Sequence, residues 1–362
     1  MWPPQVCFLR LDRLIQLFSR RRLPFGWPTI LRRVEFAPLS RSISAIGFGC
    51  ASLGSRVDGK RGTIALARAY DAGVTWFDVA PSYGDGHAEV LLGKFLAGKR
   101  SQVAVCTKVG IVPGRVSLAM RIAKPVVRWA IILRPELRNP VTSFRPPAER
   151  VELTGPLIES SIVESLRRLQ TDHVDVLALH EANLDDVQRD DVLRALDNVI
   201  SKGYARAISL AGDLVVALAA VALSERFRII QFANNLFAPN VALANQQLPP
   251  GRSVAFVTHS VYGHGGLLNA LTAIIAKQAD KRALMGSMGY RDAPRKAAAA
   301  FLLDFALASN PKGVVLLSMY EPRHFSFNLS RLTTSPQAKV VLDLASRLVS
   351  LQPCIEPRKQ KV

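Results

Sequence analysis

The sequence is short of several features that would assign its class quickly. It has four cysteines in 362 residues, Cys7, Cys50, Cys106 and Cys354, and no CxxC pair. That argues against a cysteine-built zinc site and for thiols kept reduced in the cytoplasm. No GxGxxG and no P-loop sits at a strand-to-helix junction, which weakens a doubly wound dinucleotide fold. Long apolar runs are missing too. VVRWAIIL at 126–133 contains Arg128 and is flanked by Lys124 and Arg134, so it falls short of the roughly 20 residues of a membrane span. The N-terminus lacks a signal peptide's apolar core and small-residue cleavage site, although its Arg-rich, acid-poor character leaves a targeting segment open.

Acidic residues are also scarce, 28 against 47 Lys and Arg, for a net charge of +19. The surplus is local. Residues 1–45 hold eight basic side chains against two acids, and residues 111–150 hold the same, so each segment carries +6. Such patches could meet nucleic acid, anionic lipid or a phosphorylated ligand. No aromatic-interleaved nucleic-acid motif accompanies them, so a solvated basic face is the simpler reading and no specific nucleic acid is expected. What the chain does have is core material, with 49% hydrophobic residues and a mean hydropathy of +0.17. Global disorder is excluded, and the length accommodates two or three domains or one large α/β barrel.

Residues 1–42 read as a basic N-terminal extension, with a short amphipathic piece near Leu9–Phe18, and 351–362 as a tail. Between them, in 43–350, strand and helix signals alternate. Strands are expected at 46–49, 74–78, 103–107, 174–179, 205–210, 229–233, 254–258 and 314–317. Helical spacing covers 63–71, 88–96, 156–169, 187–200, 214–223, 295–308 and 338–349. Residues 109–155 interrupt this rhythm with a basic, proline-bearing insertion after the third strand. Eight alternating units predict parallel pairing with right-handed crossovers, and a (β/α)8 TIM barrel.

The segment VTWFDVAPSYGDGHAE (74–89) carries the first chemical signal. A short β-favouring run stops at Asp78, and turn residues then present Tyr83. Read alone, it is equally a buried Asp capping its loop. Lys108 and His180 end two further strands, however, and a barrel brings all strand C-termini to one mouth. Together the four make chemical sense. A phenol is a poor acid near neutrality, an ammonium beside it favours phenolate, a carboxylate keeps the ammonium charged, and an imidazole can aim a carbonyl.

GFGCASLG (47–54), DAGVTWFDVAPSYGDGHAEVLLG (71–93), VCTKVG (105–110), SLRRLQTDHVDVLALH (165–180) and GHGGLL (263–268) resemble the aldo-keto reductases over about 43–329. The resemblance implies a catalytic tetrad of Asp78, Tyr83, Lys108 and His180. It also implies reversible hydride transfer between NADPH, or NADH, and a small-molecule carbonyl or alcohol. By the same resemblance Gln231 would hold the nicotinamide carboxamide. The segment around Ser260, Gly263, Gly265 and Leu267 would embrace the pyrophosphate, and Ser318, Arg323 and Asn328 would hold the adenosine end. Three departures stand out. Ala211-Gly212 replaces a Ser-Asn pair, Asn234 matches a position that is commonly a stacking aromatic, and Arg323 lies beside the usual 2′-phosphate residue. The departures keep a second reading open, a cofactor-binding regulatory barrel with little or no catalysis. A third is association with an acidic surface through the basic segments.

Overall fold

The computed structural model describes residues 31–114 and 148–349. The amphipathic piece near Leu9–Phe18, most of the basic insertion and the 351–362 tail therefore lie outside the described residues.

The first described element is an antiparallel hairpin, β1 (Arg33–Phe36) and β2 (Arg41–Ser44), turned by a short 3-10 segment, Ala37–Leu39. The expected boundary after residue 42 falls inside it. The hairpin escapes a reading based on βα alternation because it has no helix of its own. Its apolar residues Val34, Phe36, Leu39 and Ile43 pack with Trp76, Ala104 and Val314 and close the N-terminal end of the barrel. Phe36 meets Trp76 edge to face with centroids 5.3 Å apart.

Eight strands then form a closed parallel barrel. They are β3 (Ile46–Gly49), β4 (Trp76–Asp78), β5 (Ala104–Val109), β8 (Val174–His180), β9 (Ala205–Ala211), β10 (Phe227–Ala233), β11 (Ala255–His259) and β12 (Val314–Leu317). Neighbours in the barrel are neighbours in sequence, and β12 closes on β3. Between β5 and β8 the base of the insertion is a two-residue ladder, β6 (Ile111–Val112) with β7 (Glu149–Arg150).

Strand side chains alternate between two faces. Phe77, Val105, Leu177, Leu179 and Ile230 pack outward under the helices. Trp76, Cys106, Val176, Ala178 and Ile229 fill the barrel interior. The same inward rows run on into Asp78, Lys108, His180 and Gln231 at or near the strand C-termini, so strand periodicity alone aims these polar groups into the mouth. Register aligns them, with Asp78 opposite Cys106, Lys108 opposite Ala178 and His180 opposite Ala211.

The helices start where caps satisfy free backbone N–H groups. Asp58 accepts from Arg61 N ahead of Gly59–Asp71, and Thr154 accepts from Leu157 N ahead of Gly155–Leu169. The single helix expected at 187–200 is two, Leu184–Gln188 and Asp190–Ser201, separated by an extended Arg189. An Asn183–Asp186 capping box starts the first piece early. Helices at Asn240–Gln247, Gly266–Lys277, Ala279–Ser287 and Pro322–Thr334 add to the expected set. None of the described helices is long and apolar enough to cross a membrane.

Candidate active site

Lys108 is the hub. It lies inside β5, one residue before the strand ends rather than just after it, and is 3% exposed. Its Nζ donates to Asp78 Oδ1 as an ion pair, to the Val79 carbonyl at 3.3 Å and to the Tyr83 hydroxyl at 3.3 Å. Nζ also stands 4.9 Å from the centre of the Tyr83 ring. The His180 ring faces Tyr83 at right angles, with centroids 6.3 Å apart. Asp78, Tyr83, Lys108 and His180, drawn from three strands and a loop, therefore meet at one point on the mouth.

Burial alone would lower the Lys108 ammonium, but the Asp78 carboxylate, with Tyr83 and Cys106 beside it, raises it on balance, so it stays charged. For Tyr83 the balance differs from the sequence expectation. Burial raises the phenol and outweighs the lowering by Lys108, so the ground state is the protonated form. Burial, then Lys108 and His259, lower His180 to about 3, so its imidazole is neutral. Among the described residues, His180 Nδ1 and Asp78 Oδ2 are buried without a hydrogen-bond partner. Buried polar atoms left open in this way at a cleft are suited to a ligand.

The cleft measures ≈ 1440 Å³ and is lined by all four of these residues and by Gln231, Ser260, Gly265, Ser318, Arg323 and Asn328. Gln231 sits deep, its Nε2 3.0 Å from Cys106 Sγ. Gly265 has open space where a side chain would be. Two residues named from the sequence do not face the opening. Leu267 packs into the core, and Leu268 lines the cleft instead. Gly263 makes the turn, where a Cβ would stand 2.9 Å from Leu267 Cβ.

Asn234 cannot act as a stacking surface. It is fully buried, donates to Ser309 Oγ at 2.9 Å and accepts from Val241 N at 3.1 Å. The ring at this part of the mouth is His259, whose Nδ1 is 2.9 Å from Ser260 Oγ. Burial, Lys108 and His264 lower His259 to about 4. Its place at the end of β11 was the available signal.

The sequence reading also missed Glu181, Arg295 and Lys296, which line the same cleft. Among the described residues five non-glycines have positive φ, and three of them, Glu181, Ser260 and His264, line it. Each such conformation costs about 1–2 kcal/mol, and such strain gathers at functional sites.

The aldo/keto reductase family model matches residues 45–335. The chain belongs to the aldo/keto reductase family. It is thereby an oxidoreductase, built on the family's barrel. Among curated relatives, a D-threo-aldose 1-dehydrogenase from Pseudomonas sp is 28% identical over 62% of this chain and 67% of its own length. An L-galactose dehydrogenase from Arabidopsis thaliana is 29% identical over 50% of each chain. Matches to these relatives thus span half to two thirds of their length. In fold, the chain superposes on an aldo-keto reductase from Klebsiella pneumoniae in complex with NADPH. The TM-score is 0.62 at 19% identity, covering 88% of this chain and 95% of that one. The glycerol dehydrogenase from Gluconobacter oxydans gives 0.64 at 17% identity, covering 90% and 98%.

Proposed function

We propose that the protein transfers hydride between a nicotinamide cofactor and an aldehyde or ketone, or oxidises the corresponding alcohol, with Tyr83 as the general acid. The observation that carries this reading is the Lys108 ammonium, which bonds the Asp78 carboxylate and the Tyr83 hydroxyl together while the His180 ring stands across from the phenol.

In this reading the Tyr83 hydroxyl gives its proton to the carbonyl oxygen as hydride reaches the carbon. Burial keeps the phenol protonated beforehand, and Lys108 stabilises the phenolate that forms. Asp78 holds Lys108 charged and in place. Neutral His180 hydrogen-bonds the carbonyl without competing for the proton.

When bound, the cofactor supplies the hydride. The residues present fit NADPH, with NADH as the lesser partner. Gln231 and the open polar atoms of Asp78 and His180 belong to the cleft lining. Arg295, Lys296 and Arg323 line the cleft from the starts of two helices, Pro294–Ser309 and Pro322–Thr334, where helix N-termini also favour anions. The cleft exceeds the usual range of about 300–1,000 Å³ for a small-molecule pocket, which suits an extended dinucleotide beside a small substrate. Solved relatives in complex with NADPH and with NADP support the choice. The sugar-named relatives put aldoses at the head of the substrate panel.

The test is a screen of NADPH and NADH oxidation against aldehydes, ketones and sugars, with the reverse reaction on the alcohols. Fluorescence quenching by NADPH with no turnover of any compound would overturn the catalytic reading. It would favour the regulatory barrel, for which Ala211-Gly212 and the inward-turned Asn234 speak.

A further inference from the structure

We propose that Cys106 is a positioning residue for the cofactor: its sulfur accepts an amide N–H of Gln231 and so leaves Gln231 Oε1 as the acceptor at the mouth, set to receive a carboxamide N–H of the nicotinamide ring. This role rests on the nicotinamide reading above and deepens it, since it gives the physical reason for Gln231 to select a carboxamide.

Gln231 and Cys106 come from β10 and β5, which are not neighbours in the barrel, so their contact crosses its interior. Gln231 Nε2 stands 3.0 Å from Cys106 Sγ. Cys106 is fully buried and Gln231 is 1% exposed, yet Gln231 lines the cleft. The thiol's single proton decides which end of the amide faces the sulfur. A thiol has one weak donor, and its sulfur also accepts. Burial first, and then Asp78, raises Cys106, so the thiol keeps its proton. That S–H is directed at the Thr107 carbonyl, 3.7 Å away. Toward Gln231 the sulfur is left to accept, which turns the amide nitrogen inward and the amide oxygen outward.

Among the described residues no donor reaches Gln231 Oε1, and this oxygen is not one of the polar atoms sealed inside without a partner, so it opens on the cleft. A buried amide with its nitrogen engaged and its oxygen free calls for a ligand that brings an N–H. A carboxamide brings one, whereas a methyl ketone of the same shape does not. Ala211 and Gly212 add no polar side-chain atom beside it, and Asn234 is engaged with Ser309 and Val241. The orientation of one amide therefore carries the recognition of this group. An apolar residue at 106 would fill the interior as Val176 and Ala178 do on β8. It would also leave Gln231 free to turn its nitrogen to the mouth, where a carboxamide N–H finds no acceptor.

The test is equilibrium binding of two dinucleotides by titration calorimetry: NADP, and its 3-acetylpyridine analogue, in which a methyl group replaces the carboxamide nitrogen. The native protein should prefer NADP by about tenfold, the size of one hydrogen bond made or missed at a buried acceptor. Cys106→Ala should weaken NADP by most of that factor and leave the analogue unchanged, which also shows that the fold and the rest of the cleft are intact. Cys106→Ser, which keeps an acceptor at this place, should retain the preference. A merely structural role for Cys106 would weaken both dinucleotides alike. Equal weakening of the two by Cys106→Ala, or an undiminished preference for NADP in that variant, overturns the proposal while leaving the nicotinamide reading in place. A native protein that binds neither NADP nor NAD removes that reading and the role of Cys106 together.

Discussion

Gly110 lies against the carbonyl oxygen of His180, so closely that a Cβ at residue 110 would stand 2.5 Å from it, and its φ is +124°. Only glycine meets both demands. Gly110→Ala should push the His180–Glu181 turn away from Tyr83. Displacing a reacting group by about 1 Å can cost roughly 10²-fold in rate. We expect kcat/KM to fall by about that factor, with stability lowered by more than about 1 kcal/mol in urea unfolding. Native-like kinetics in this variant would refute the coupling.

Tyr83→Phe removes the proposed acid while keeping the ring beside Lys108 and His180. Turnover should fall by about 10²–10⁴. NADPH binding, followed by quenching of protein fluorescence, should stay near native. Undiminished turnover would exclude Tyr83 as the proton donor.

The Asp78–Lys108 ion pair is buried on both sides. Removing one partner strands the other, so Asp78→Asn and Lys108→Met should each destabilise by about 3–5 kcal/mol. The double variant, with neither charge, should recover much of that stability in chemical unfolding while remaining inactive. Additive losses in the double variant would contradict the pairing.

Acid sensitivity follows from the two imidazoles. His180 and His259 are lowered to about 3 and about 4 in the folded protein, against about 6.5 unfolded. Below pH 6.5 the unfolded chain takes up protons that the folded site refuses. Stability is therefore full above pH 6.5 and falls as pH drops toward 4 and then 3, by at most about 1.4 kcal/mol per pH unit for each group. His180→Gln should flatten this slope when unfolding is measured between pH 7 and 4. An unchanged slope would mean that His180 protonates freely in the native state.

Cys50 and Cys106 are buried free thiols raised by burial first and then by Asp78. Because thiolate is the reactive form, iodoacetamide at pH 8 should leave both unmodified in the native protein and alkylate both in urea. Peptide mapping by mass spectrometry reads this directly.

The barrel was legible because strand and helix periods differ, and its mouth because three of the strands end at or next to a reactive side chain, Asp78, Lys108 and His180. Asp78, Lys108 and His180 belong at one mouth on the sequence pattern alone, since parallel strands share one direction. The phenol's electrostatics were not legible. Proximity to Lys108 suggested a lowered Tyr83, and only the burial of the mouth shows that desolvation weighs more. Asn234 and His259 show a second limit. The sequence showed only that Asn234 stands where an aromatic is common; that its side chain turns inward to Ser309 and Val241, while His259 lines the cleft, takes the structure to show. That Glu181 lines the cleft was not legible, because its position depends on a left-handed φ and a neighbouring glycine, neither of which leaves a mark on composition or period.

The hairpin ahead of β3 sets a practical limit on shortening the chain. A deletion that reached β3 would strip Val34, Phe36 and Leu39 from beneath Trp76 and let water in through the floor. The same holds one step earlier, where Leu31 packs against the core and Arg32 ties the strand's approach to the carbonyls of Leu307 and Pro311.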